Sequence, residues 1–381
     1  MLSCWLVGVA LVVSSLGTPR ADPPRLQVGR AAPAVFADGR VLVIGGASID
    51  GPLHSVESWE PAAGQSRPVF RYAGDLSVAR SGHTATALAD GRVLVVGGGS
   101  GARARAAELR KPRAEWDVGE IEKQGWSLTG SLATNRALHT ASLLPDGRVL
   151  VVGGIDNNRR ELASAEIWNP RSGTWRSAGR LHDARWHHAA VVLDDGRVLV
   201  VGGLRSSRAV GAEALASAEI WDPKAERWST TGELPDPAAQ LTAIRLPDGH
   251  VLAAGGTAPD GGNLAGGNPI WDPKNGRWSR DAAGGLARYE HTVSVLADGR
   301  IVATGGVATE CGNRGCTWGL TPDVEIWNPS KHVWTPAHAL GVPRANHSAV
   351  VLPDGRLVVV GGWSWYRNDE YTNDVEVVLT P

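Results

Sequence analysis

The 381-residue sequence is almost without phenylalanine (2), methionine (1) and tyrosine (4), and only five of its 38 basic residues are lysine. Its formal net charge is −1, so it lacks the positive excess that a nucleic-acid-binding face requires. No apolar run approaches the roughly 20 residues of a membrane helix, which argues against a membrane span. The 43% apolar content is too high for a disordered chain. Glycine (48) and tryptophan (16) are abundant instead, and both recur at regular intervals along the chain.

Residues Leu6 to Val13 read LVGVALVV and are followed by Ser14, Ser15, Gly17 and Ala21. A short apolar core ahead of small residues is the pattern of a secretory signal over residues 1–21. The expectation is export to a periplasmic or extracellular space, with residues 22–381 as one domain. Cys4 would leave with the signal. Cys311 and Cys316 in ECGNRGC remain, and an even count in an exported chain predicts a disulfide between them.

An internal repeat fills the rest. Asp-Gly-Arg, once Asp-Gly-His, begins at Asp38, Asp90, Asp146, Asp195, Asp248, Asp298 and Asp354. Each is followed by four apolar or small residues and a Gly-Gly pair, from Gly45 to Gly361. Most units then carry a Glu-Ile-Trp-Asn/Asp-Pro element, as at Glu166, Glu219 and Glu325, with a second Trp seven residues after the first. Seven units of about 52 residues consume the mature length, leaving no room for a second domain. In the fourth unit His188 to Leu193 reads as a strand, Asp195-Gly196 as a two-residue hairpin turn, and Arg197 to Val201 as a strand covered on both faces. Ala218 to Trp221 reads as a third strand, and a fourth starts at Trp228. Four short antiparallel strands repeated radially describe a propeller blade, with the tryptophans packed between blades.

These motifs (DGRVLVVGG, then EIWDP, then Trp seven residues on) resemble the kelch repeat, and the likeness covers essentially the whole mature chain. Unit 2 departs with AELRKPRAEW, and unit 1 lacks the second Trp. The resemblance implies an all-β, seven-bladed propeller of four-stranded antiparallel blades, similar to that of bacterial exported kelch proteins and of galactose-oxidase-like proteins. The last unit has only three strands of its own. Arg25 to Val28 would supply the fourth and close the ring.

In such a blade the turns between strands 1 and 2 and between 3 and 4 share one face. The long 2–3 loops and the links between blades share the other, where binding is expected. Five links contain R-x-x-H: Arg80/His83, Arg136/His139, Arg185/His188, Arg288/His291 and Arg344/His347. One occurrence per blade favours a structural role over a ring of ligands or bases. Unit 5 has Ala238 and Leu241 in those slots, and unit 1 has Val28 and Ala31. Unusual chemistry lies nearby: Trp186, Tyr289 and His291 in links, Trp318 beside the cysteine pair, and Trp365 and Arg367 in the last loop. Aromatic faces with an arginine suit a sugar or the flat surface of a protein.

The expected function is therefore a binding propeller whose ligand, a carbohydrate or a protein, contacts those six residues. No motif marks a catalytic residue, a metal or a cofactor. The competing class is a carbohydrate-active enzyme, either a cofactor-free epimerase or mutarotase or a copper-radical oxidase. In the latter, Tyr289 and His291 would match the copper ligands of galactose-oxidase-like enzymes. Glu290 intervenes, however, and no cysteine is free for the cross-linked tyrosine that such chemistry uses.

Overall fold

In a computed structural model of the chain, the described residues are 32–379 apart from 36–39, 49, 60–69, 100–104, 111–124, 208–210, 259–266, 281–287, 313–314, 353, 365–369 and 372–374. Each repeat forms one antiparallel sheet. In the third unit Thr140–Leu143, Val149–Val152, Ser164–Asn169 and Thr174–Arg180 pair in sequence order. The fourth unit follows with Ala189–Val192, Val198–Val201, Ala218–Asp222 and Arg227–Thr230, within a residue of the sequence reading. The last sheet contains three strands, Ser348–Val351, Leu357–Val360 and Val375–Leu379. The expected partner of that edge, Arg25 to Val28, lies outside the described residues. No helix among the described residues is long and apolar enough to cross a membrane.

The Asp-Gly turn differs from the expected two-residue form. Gly196 N–H donates to Leu193 O (2.9 Å) and Leu193 N–H to Arg197 O (2.8 Å), which makes the loop three residues long. Only the glycine has positive φ (84°). This is a type I turn closed by a left-handed glycine, so the aspartate needs no strained backbone. Its carboxylate instead accepts the Arg197 N–H at 3.0 Å and the guanidinium at 2.7 Å.

The second strand of each sheet, such as Val149–Val152, is wholly buried because it is covered on both faces. It ends at Gly-Gly for a steric reason. A Cβ on Gly153 would sit 2.5 Å from the carbonyl of Arg185 in the next link. The Gly154 N–H donates to that same carbonyl at 2.9 Å.

The tryptophans sit where they were expected. Trp168 pairs directly across from Trp175, and Trp221, Trp271 and Trp327 pair likewise with Trp228, Trp278 and Trp334. Each pair packs against the preceding sheet: Trp221 and Trp228 close a core with Leu144, Leu150 and Ile167. Unit 2 substitutes Arg110 opposite Trp126, with its guanidinium 5.7 Å from the indole centroid. Unit 1 substitutes Phe70, 6.3 Å from Trp59, a replacement the seven-residue spacing does not reveal. The first and last sheets share a core as well, with Val41, Val43 and Trp59 packed on Val350, Val358 and Val360.

Several stretches expected to be loops after Gly-Gly are secondary hairpins. Leu204–Ser207 pairs with Gly211–Ala214, and Val307–Gly312 pairs with Gly315–Leu320. Each also bridges back to a link, Leu204 to Trp186 and Val307 to Tyr289. Links and 2–3 segments are thus hydrogen-bonded to one another, as the face assignment requires.

Candidate functional site

The recurring arginines are buried clamps. Arg80, Arg136 and Arg185 ion-pair with Glu108, Glu166 and Glu219 at 3.0, 2.7 and 2.9 Å, and Arg288 and Arg344 pair with Glu325 and Glu376. Each arginine also donates to the Gly carbonyl that ends the second strand, as Arg136 does to Gly153 O at 2.8 Å. Each glutamate is the first residue of the Glu-Ile-Trp element or its equivalent. Glu166 also accepts the Ala133 N–H at 2.7 Å, so one pair fastens the incoming link to the second and third strands. Burial lowers Arg80, Arg136, Arg185 and Arg288, the last to about 10, without threatening their charge at neutral pH. The partnership was legible in retrospect, because unit 5 loses both members together, to Ala238 and Pro269.

The five histidines are seated between sheets. His83 Nε2 meets Ile44 O at 2.9 Å, and His139, His188 and His347 meet the hydroxyls of Thr84, Thr140 and Thr292 at 3.0, 2.9 and 2.9 Å. Desolvation, reinforced by the neighbouring arginine charge, pushes His188 and His347 down to about 3. Rings this far below neutrality stay uncharged, which suits packing rather than proton transfer. His291 is equally buried and equally depressed, to about 3, but neither of its ring nitrogens has a hydrogen-bond partner among the described residues.

The feature that sequence reasoning missed is the residue before each histidine. Gly82, Leu138, His187, Gln240, Glu290 and Asn346 all have φ between 50° and 68°. Left-handed backbone costs a non-glycine residue roughly 1–2 kcal/mol, and five of these six bear that strain. Their main chains follow one another: Leu138 N–H donates to Gly82 O (2.8 Å), Gln240 N–H to His187 O (2.9 Å) and Asn346 N–H to Glu290 O (2.9 Å). Leu138, His187, Glu290 and Asn346 wall a recess of about 270 Å³, whose lining also includes His83, His139, His291 and His347. Gln240 Nε2 lies 3.5 Å from Glu290 Oε1. The signal was present as the second of the two variable positions inside R-x-x-H.

Three of the six predicted contact residues belong to this neighbourhood. The Trp186 ring lies tilted against His187, with centroids 4.6 Å apart. Tyr289 precedes Glu290, and burial together with the Glu290 charge raises its phenol. His291 follows Glu290 but is turned into the seam between sheets. Trp318 is 62% exposed on the hairpin that pairs with Tyr289 through Val307. Trp365 and Arg367 lie outside the described residues. The backbone sets Cys311 opposite Cys316 in that hairpin, while their side chains lie outside what is described. Among the described residues no three His, Cys, Asp or Glu side chains come together as a metal site would require.

Residues 136–182 and 185–235 match the Kelch motif family. These two stretches are kelch repeats. Two solved structures share its fold. "Structure of YjhT" matches with a TM-score of 0.58 and 16% identity over 79% of this chain and 95% of that one. A copper-bound fungal alcohol oxidase of the AA5 family matches with a TM-score of 0.67 and 16% identity over 93% of this chain and 75% of that one. At such identity the likeness concerns the fold. No curated protein matches the kelch chain.

The first unit breaks the clamp pattern. Glu57 occupies the register slot of the clamped glutamates, opposite Val43, yet its Oε2 has no hydrogen-bond partner among the described residues. Desolvation raises it from 4.5 to about 7. A raised carboxyl stabilises the fold below its unfolded pKa, and that contribution disappears as pH rises through the folded value, about 3 kcal/mol in all. Glu57→Gln should leave urea stability nearly unchanged at pH 4.5 and increase it at pH 8. Equal effects at both pH values would refute this. For the clamps, Arg136→Leu should cost about 3–5 kcal/mol by stranding Glu166, and adding Glu166→Leu should recover most of the loss. A double variant as unstable as the sum of the singles would show the pair to be uncoupled.

Proposed function

We propose that this kelch protein is an exported seven-bladed propeller that binds a carbohydrate at the recess walled by Leu138, His187, Glu290 and Asn346, with Gln240 beside Glu290. One observation carries the reading: five non-glycine residues hold left-handed backbone around that recess, and all but Leu138 present a polar side chain. Strain maintained on a rigid frame marks a surface kept for recognition rather than stability. The imidazole, amides and carboxylate offer both donors and acceptors, and Trp186 and Tyr289 offer flat apolar faces, which together suit a hydroxylated ring. The shared core of the first and last sheets supports a closed ring, with residues 25–28 completing the final blade. An experimental structure with six or eight blades would overturn that part.

Screening the mature protein on a glycan array should identify a ligand. Glu290→Gln and Trp186→Ala should each weaken its binding about tenfold or more, which corresponds to about 1.4 kcal/mol per factor of ten. Asp146→Ala on the turn face should leave binding intact. Retained affinity in both recess variants would reject the site. A blank array together with a protein partner lost in the same two variants would replace carbohydrate with protein.

Export and the Cys311–Cys316 disulfide stand together in this reading, since the cross-link needs an oxidising compartment. Intact mass of the protein from its native compartment should begin near residue 18 or 22 and be two hydrogens short of the reduced chain. A retained leader or two free thiols would contradict it.

A further inference from the structure

On the turn face, arginines of the Asp-Gly-Arg turns can tie neighbouring units, as Arg92 and Arg148 do. Six of the seven turns carry one, and the fifth carries His250 instead. Arg92, Arg148, Arg197, Arg300 and Arg356 each fold back onto the aspartate of their own turn. Two of them visibly reach the following sheet. Arg92 donates to Pro170 O at 3.1 Å and lies 5.7 Å from the Trp168 ring centroid. Arg148 meets Glu226 at 3.1 Å, and the same carboxylate pairs with Arg176.

Between the fifth and sixth units all three members of that ionic triad are replaced. By their offsets from the turn glycine and the paired tryptophans, Arg148 corresponds to His250, Arg176 to Ser279 and Glu226 to His332. The left-handed backbone of Glu226 (φ 51°) is kept at His332 (φ 54°), so the two positions are structurally equivalent. An imidazole is shorter than a guanidinium and does not span the seam. A groove of about 320 Å³ stands there, with Leu246 and Ile270 among its lining and Asp248, Asp272, Ser279 and His332 around it.

We propose that this groove is a binding site for a guanidinium group, the group that this chain's own arginines place at equivalent seams. One acceptor of the seat, the turn aspartate, is retained, and a second carboxylate, Asp272, stands beside it. Asp248 is the turn aspartate that elsewhere holds the arginine, and here it lies 3.0 Å from His250 Nδ1. Asp272 stands 3.9 Å from the other ring nitrogen of His250. The ring of His332 lies 5.7 Å from Trp327, the same separation at which Arg92 overlies Trp168. The nearby cations do not cancel both carboxylates: Arg280 is bound to Asp236 at 2.6 Å, which leaves Arg277 against two aspartates. A planar, permanently charged fork matches such carboxylates better than an ammonium.

The source is either an arginine on a partner polypeptide or free arginine, and the two are separable. The mature protein is titrated by calorimetry and thermal shift with N-acetyl-argininamide, with free L-arginine, and with N-acetyl-citrullinamide, which keeps the shape and lacks the charge. Saturable binding of the arginine compounds with none of the citrulline compound supports the site. Preference for the capped compound identifies a polypeptide source, and equal or stronger binding of free arginine identifies the small molecule. His250→Arg, which restores the residue of the other six turns, should raise the melting temperature without ligand and weaken binding at least tenfold. Asp248→Asn should weaken binding similarly. Equal response to citrulline, undiminished binding in His250→Arg, or a lower melting temperature for that variant would overturn the proposal.

Discussion

The buried arginine–glutamate pair is the constraint on which the rest of the structure depends. Its charges are stripped of water, so each member must be satisfied by the other and by backbone. Those backbone partners are the carbonyl ending the second strand and the amides of the incoming link. One pair thereby fixes where a link enters, where the second strand stops and where the third strand lies. Repeating the pair from unit to unit repeats the link geometry, including the left-handed residue two positions after the arginine.

The hydrophobic layer acts on the seams between units. Each tryptophan pair belongs to one sheet but is buried against the sheet before it, so no sheet holds a complete core by itself. Substitutions within the pair follow the same logic. Arg110 covers Trp126 with a cation, and Phe70 covers Trp59 with a smaller ring. Stability is thus shared between neighbours, while chemistry is left to positions that neither the clamp nor the seam occupies.

Those positions are of two kinds. Around the recess, a fixed backbone carries a different side chain in each unit, so the frame is constant and the contact surface is not. On the turn face Arg92 and Arg148 cross their seams, whereas between the fifth and sixth units the turn carries His250. Unit 5 is also a unit that has lost both members of the clamp. Ala238 and Pro269 show that a neutral, apolar pair can stand in its place, as expected if a buried ion pair contributes more to register than to net stability.

Period, strand order and sheet packing were determined by the sequence itself. Gly-Gly, Asp-Gly and paired tryptophans act within a unit or between adjacent units, and local steric and apolar rules suffice to read them. The structural role of the R-x-x-H histidines was also legible, because a residue repeated in five of the seven links is seldom a unique ligand. Tertiary structure alone decided the rest. The turn form at Asp195-Gly196 depended on which carbonyl the glycine N–H reached. The hairpins at Leu204 and Val307 depended on bridges to distant links. The recess depended on bringing single residues from units some fifty positions apart to one place, and no local pattern in a one-dimensional chain encodes that meeting. Glu166 and Glu290 illustrate the difference. Both are glutamates at equally regular positions, but one is sealed against an arginine within its own sheet, and the other gains its meaning only from neighbours supplied by other blades.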